Sequence, residues 1–192
     1  MKGIFCCLLF VNFFCSAQQL KWSNGSVVMA SSGIVICGEI SVDERTGLVL
    51  FRSSPDIVKI QVLPSHQVRS VHFYDAEFNV NRRFLSRTMG RRTELFEIVL
   101  KGAVTVVRQP RYNDVRSIAD IDDYRYFISF NEQLFSLLDF RRSLFPVLAE
   151  RSPLFASFVK RERLDLSNRK DVICAIQFYD ELFRESNDLA IR

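Results

Sequence analysis

His66, His72 and Asp75 are the residues of this 192-residue chain whose types and spacing could ligate a metal or exchange protons, with Glu97 joining them if the strands around it pair. Either chemistry requires the groups to converge within a few ångströms. Pro64 ends one strand before His66, which puts that histidine on a connector, while His72 falls in the strand that follows, so the two are sent apart. A single histidine on a strand is commonly a hydrogen-bonded structural residue. The chain also has no Gly-x-Ser-x-Gly elbow, no phosphate-cradling glycine loop followed by Lys-Ser/Thr, no His-Glu-x-x-His and no calcium-loop pattern. No catalytic residue, metal or cofactor is assigned on this basis.

The surface feature with chemistry to offer is cationic. Arg82, Arg83, Arg87, Arg91 and Arg92 fall within eleven positions around Met89-Gly90. Guanidinium groups at that density attract a phosphate- or carboxylate-rich partner. The competing explanation is a solvated hairpin tip that protects a sheet from edge-to-edge association. Nucleic acid is excluded as the partner: the net charge is only +4, no aromatic platform is interleaved with the arginines, and an exported protein rarely meets it. Glu97 leaves two alternatives. If it shares a buried face with Leu95 and Val99, it needs a cationic partner such as Arg108 or Arg125. If that face is wet, then Phe96, Ile98 and Leu100 point to the core.

Export is inferred from residues 1–17. Lys2 is followed by an apolar run from Ile4 to Phe14, and Cys15-Ser16-Ala17 supplies small residues for cleavage, which is the pattern of a secretory signal peptide. The run is too short for a permanent transmembrane helix, and no other stretch approaches one. The rival, a lipoprotein acylated at Cys15, is disfavoured by Asn12 and Phe14. The expected location is periplasmic or extracellular. Of five cysteines, Cys37 and Cys174 remain after cleavage. Cys174 falls nearly opposite the apolar stripe of its helix, so two unpaired thiols are expected although the compartment permits a bridge.

The elements that position these residues follow from periodicity. Strands are expected at Gly25–Ala30, Ile34–Val42, Leu48–Phe51, Ile57–Leu63, along 68–78, at Leu95–Leu100, Ala103–Arg108 and Tyr124–Phe130, about eight in all. In the fourth, Val58, Ile60 and Val62 are in phase. Glycines at 25, 33, 38 and 47 permit tight bends, and Lys101-Gly102 marks a hairpin. Asn79–Thr93 is a long hairpin with a basic tip or a flexible loop, and Pro110–Asp123 is a loop. From Leu134 the apolar period becomes helical. One helix carries Leu134, Leu137, Leu138, Leu144, Phe145 and Leu148 and breaks near Pro146. A second starts at Ser152-Pro153 and buries Leu154, Phe155, Phe158 and Val159. A third begins near Asn168, with Val172, Ile176, Tyr179 and Phe183 as its stripe. The expected class is α+β: an antiparallel β-sheet or partly open β-barrel over residues 18–132, then about three helices over 133–192 packed on it.

Gly25-Ser-Val-Val-Met29, Gly38-Glu39-Ile40, Leu63 to Val68, Phe73-Tyr74-Asp75 with Asn81-Arg82-Arg83-Phe84, Phe96 to Gly102 and Ile173 to Tyr179 together resemble small exported proteins of Bacteroidetes-type bacteria. The resemblance covers most of the chain after the signal. It implies a β-rich body with a helical C-terminus and brings no catalytic residues. Tyr179-Asp180 and a longer tail stand where such proteins often end in Tyr-Asn. Two functions are consistent with these observations. One is a non-catalytic interaction or structural module of the cell envelope, docking an envelope protein or anionic envelope polymer. The other is a small-ligand binder or enzyme with a cavity between sheet and helices, its wall including His72 and Tyr74.

Overall fold

The computed structural model describes residues 20–56, 59–110, 124–131 and 133–190. The expected signal peptide with Cys15, the start of the Ile57–Leu63 strand and the loop after Pro110 lie outside the described residues. The strands are β1 (Ser23–Met29), β2 (Val35–Asp43), β3 (Leu48–Arg52), β4 (Gln61–Pro64), β5 (Val68–Asp75), β6 (Val80–Met89), β7 (Arg92–Leu100), β8 (Thr105–Pro110), β9 (Tyr124–Phe130) and β10 (Gln133–Ser136). They form one antiparallel sheet in the order β10-β9-β8-β7-β6-β5-β1-β2-β3-β4. The helices α1 (Phe140–Ser143), α2 (Phe145–Arg151), α3 (Pro153–Arg161) and α4 (Arg169–Ala190) follow it. The protein is thus α+β with an open sheet, as its periodicity indicates.

One face of the sheet carries its two larger apolar clusters, and a smaller one around Phe96, Val107 and Phe127 lies on the other. Registers Val27↔Val71, Val71↔Phe84, Ile40↔Phe51 and Val49↔Leu63 keep these residues on a common face, and together with Phe73, Val68 and Leu95 they form one buried cluster. That half of the sheet rolls on itself, because the short turn after β4 reaches β7, where the Ser65 hydroxyl donates to the Thr93 carbonyl. At the other end Val106, Ile128 and Phe130 are covered by Phe140, Leu144, Leu148, Phe155, Val172, Ile176 and Tyr179 of the helices. Aromatic edges pack this second cluster, with Phe155 and Tyr179 rings 5.3 Å apart in a T arrangement.

The two strands beyond those expected have clear causes. Of the two readings of residues 79–93, the long hairpin with a basic tip holds: β6 and the first part of β7 pair from Phe84↔Glu97 out to Met89↔Arg92. A two-residue turn joins them, with Gly90 at φ 62°, the left-handed backbone that glycine adopts without steric cost. Leu134 lies in β10, paired with Ser129, so the first helix starts later than its apolar spacing suggests, and the sheet runs past residue 132. At β4 the alternation is offset from expectation: Ile60, just before the strand, and Val62 are exposed and Leu63 is buried. Similarly Leu154 and Phe183 are exposed, whereas the remaining stripe residues Val172, Ile176 and Tyr179 are buried. Ser152 caps α3 by accepting from the Phe155 amide, and Asn168 caps α4 by accepting from Lys170. Cys37 and Cys174 are free, exposed thiols.

The longest helix is tied to the sheet by a buried acid. Asp180 on α4, 3% exposed, accepts a 3.0 Å hydrogen bond from the Val104 amide. Gly102 makes this approach possible, since a Cβ there would lie 1.8 Å from the Asp180 carboxylate oxygen. Gly102→Ala is therefore expected to cost about 1–3 kcal/mol through overpacking. Burial pushes the Asp180 carboxyl above its usual value, and hydrogen bonds from the Val104 and Ala103 amides offset part of that rise. The folded chain thus favours the protonated acid, so this contribution to stability is complete below the ordinary value of 3.8 and is lost as pH rises through the raised folded value. Asp180→Asn keeps an acceptor for Val104 and should remove that decline. Urea unfolding of both proteins between about pH 4 and 7 checks this; an unchanged slope in the variant would contradict it.

Candidate functional site

Beside the apolar face of the rolled sheet lies a buried network of charges. Glu97 on β7 stands opposite Phe84 on β6 and Arg108 on β8, and its carboxylate is held between two guanidiniums. Arg82 Nε donates to Oε1 at 2.8 Å and Arg108 Nε to Oε2 at 2.6 Å. Arg82 also donates through Nη2 to Glu44 at 2.6 Å and has Asp75 at 3.8 Å. Aromatic rings close the network: Arg82 lies 5.0 Å from the Phe84 centroid and Arg108 lies 4.3 Å from that of Tyr124. Burial alone would raise the Glu97 carboxyl, but the hydrogen bonds and charges of Arg82 and Arg108 outweigh it and hold the group below its usual range. The same pairing holds Arg82 protonated against its own burial. Burial, then the Glu44 charge, push the Tyr124 phenol up to about 12.

This network is structural. The gap at its edge, lined by Glu44, Phe84, Leu95, Glu97, Arg108 and Pro110, measures about 10 Å³, the lower limit for one water. It does have a mechanical consequence. Glu44 belongs to the β2–β3 turn, and its bond to Arg82 fixes that turn against β6. Within the turn, Asp43 accepts from the Arg45 and Thr46 amides and from the Thr46 hydroxyl, which sets the direction of Arg45.

Arg45 faces a cleft of about 720 Å³ lined by Arg45, Thr46, His66, Arg91, Arg92, Thr93, Glu94 and Arg125. Four separate elements supply it: the β2–β3 turn, the turn holding Ser65 to Gln67, the β6–β7 hairpin tip and the start of β9. Among the described residues, Arg45, Arg91 and Arg92 form no ion pair. Arg125 bonds the neutral Gln109 at 3.4 Å, and Gln109 in turn donates to Glu94 at 2.6 Å. Among the described residues the cleft thus presents four cations against one carboxylate, and no apolar side chain lines it.

The five arginines singled out in the sequence separate into three groups. Arg82 is turned inward and committed to three carboxylates. Arg83 is exposed on β6 opposite His72, and Arg87 shares its face by alternation, donating to the Ser86 carbonyl. Arg91 and Arg92 reach the cleft. Arg45, Arg125 and His66 join them there, a convergence that needs the roll of the sheet and has no local signal. His72 and Tyr74 are exposed on β5 and belong to neither the helix-covered cluster nor the cleft. His66 and His72 do not meet, and among the described residues no three His, Cys, Asp or Glu side chains are grouped as a metal site requires. No described helix is long and apolar enough to cross a membrane.

Of the two alternatives for Glu97, the buried one holds, with Arg108 as one partner. Phe96 on the other face is buried as well, packed with Val107 and Phe127. Glu97→Gln leaves two buried guanidiniums without their shared anion and should destabilise the fold by about 3 kcal/mol. Because its folded value is depressed, Glu97 contributes fully above its ordinary 4.5 and loses that contribution as pH falls toward the folded value. Acid unfolding of wild type and variant measures both, and the variant should show the smaller acid-dependent loss. Compared with protein-family models, curated proteins and solved structures, the chain matches none.

Proposed function

We propose that the protein is an exported, non-catalytic interaction module of the bacterial cell envelope that holds an anionic partner in the arginine cleft. The observation that carries this reading is the contrast between the two sets of arginines. Arg82 and Arg108 are neutralised by carboxylates inside the fold, whereas Arg45, Arg91 and Arg92 converge on a concave surface without an ion pair among the described residues. Four like charges gathered around one cleft repel each other, and an anion bound there relieves that repulsion. Export rests on the signal-like residues 1–17 and the envelope on the resemblance of the remaining chain. The alternative, a cavity between sheet and helices walled by His72 and Tyr74, gains no support from their exposed positions on β5.

Immobilised polyphosphate and polyglutamate test the proposal. The protein should be retained on at least one of them at low ionic strength and released as salt screens the contact. Replacing Arg45, Arg91 and Arg92 with Ser should abolish retention without lowering the thermal midpoint, because the three side chains are exposed and their mutual repulsion is relieved. Equal retention of the triple variant would overturn the assignment of the cleft.

A further inference from the structure

We infer that the cleft selects a phosphorylated sugar or polyol, free or as the repeating unit of a polymer, over an acidic peptide; this rests on the reading of the cleft as an anion site. Three features of the lining point to that class.

The cations are all arginines, delivered by separate elements: Arg45 from the β2–β3 turn, Arg91 and Arg92 from the β6–β7 tip, Arg125 from the start of β9. A guanidinium fork pairs with two oxygens of an anion. A carboxylate offers two oxygens whose acceptor directions lie in one plane, so it receives guanidiniums only around that plane, as Glu97 does from Arg82 and Arg108. A phosphate monoester offers three terminal oxygens in a tetrahedral arrangement and accepts forks arriving from different sides.

The second feature is what the lining lacks. Peptide docking sites depend on buried apolar or aromatic anchors surrounded by polar groups. Among the described residues every side chain around this cleft is polar, so a peptide would find counter-charges there and no anchor. Aromatic faces are also missing among the described lining residues, which gives a nucleobase nothing to stack on there.

The third feature is Glu94, a carboxylate among four arginines. It repels an anion as such, yet it is a strong acceptor for hydroxyl groups. Its Oε2 accepts from Gln109 Nε2, which fixes the side chain while leaving further acceptor capacity. Thr46, Thr93 and His66 add hydrogen-bonding groups around it. A ligand with a phosphate at one end and hydroxyls at the other satisfies both halves of this lining, whereas inorganic phosphate satisfies one.

Titration calorimetry of the chain from residue 18 onward with glucose 6-phosphate, glucose, inorganic phosphate and a hexaglutamate peptide tests the assignment. Glucose 6-phosphate should bind about tenfold or more tightly than inorganic phosphate or the peptide, with glucose alone undetected. Arg91→Ser with Arg92→Ser should abolish binding of both phosphates. Glu94→Ala should strengthen inorganic phosphate, by removing repulsion, and shrink the preference for glucose 6-phosphate by about tenfold; circular dichroism confirms that the variants are folded. If hexaglutamate binds as tightly as glucose 6-phosphate through the same arginines, the sugar-phosphate assignment fails while the anion cleft stands. If none of the probes binds, or binding is indifferent to Arg91 and Arg92, both fail. An unchanged phosphate-to-sugar-phosphate ratio in Glu94→Ala also overturns the inference.

Discussion

The burial of Glu97 is the constraint on which the rest of the molecule depends. A carboxylate at 8% exposure on the apolar face of a sheet is tolerable only if its charge is matched and its oxygens are hydrogen-bonded. Two strands meet that requirement, β6 with Arg82 and β8 with Arg108. Arg82 in turn needs more than one anion, and it finds Glu44 across the mouth of the rolled sheet. Hydrophobic clustering favours bringing β2 and β3 near β6 and β7, but it does not specify the register of the approach. The directional bonds from Arg82 to Glu97 and Glu44 supply that specificity.

The same chain of contacts leads outward to the cleft. Glu44 and Arg45 are adjacent in sequence and point to opposite environments. Glu44 is fixed by Arg82, the turn is fixed by Asp43, and Arg45 is thereby held beside the β6–β7 tip. Thr93 does similar work on the other wall, because its carbonyl receives the Ser65 hydroxyl and so brings His66 to the rim. Arginines paired inside therefore position the cleft arginines outside, which have no ion pair among the described residues. Both kinds occur on the single hairpin from Arg82 to Arg92, which is why composition alone shows one basic segment where the fold makes two distinct uses of it.

The class of fold was legible because it depends on local periodicity. Alternation gave most strands, Ser152-Pro153 gave a helix start, and the spacing of Val172, Ile176 and Tyr179 gave the buried side of α4. Errors arise where tertiary pairing overrides the local pattern. Leu134 fits a helical stripe equally well as an edge strand. Simple alternation groups Val99 with Leu95 and Glu97, but the register slips between Ile98 and Leu100 and Val99 is exposed. Glu97 could be recognised as a charge in need of a partner, and Arg108 could be named, because β7 and β8 are hairpin neighbours. Arg82 and Glu44 were out of reach, as was the joining of Arg45 and Arg125 to Arg91 and Arg92. Those contacts span the roll of the sheet, and no sequence spacing encodes it.

The dependence of the cleft on the inner network is open to a double-mutant cycle. Glucose 6-phosphate affinity is measured for the wild type, Arg45→Ser, Glu44→Ala and the combination. If Glu44 positions Arg45, then losing Arg45 costs much less affinity in the Glu44→Ala background than in the wild type. An equal cost in both backgrounds would mean that the buried charges and the cleft are independent, and would contradict the account.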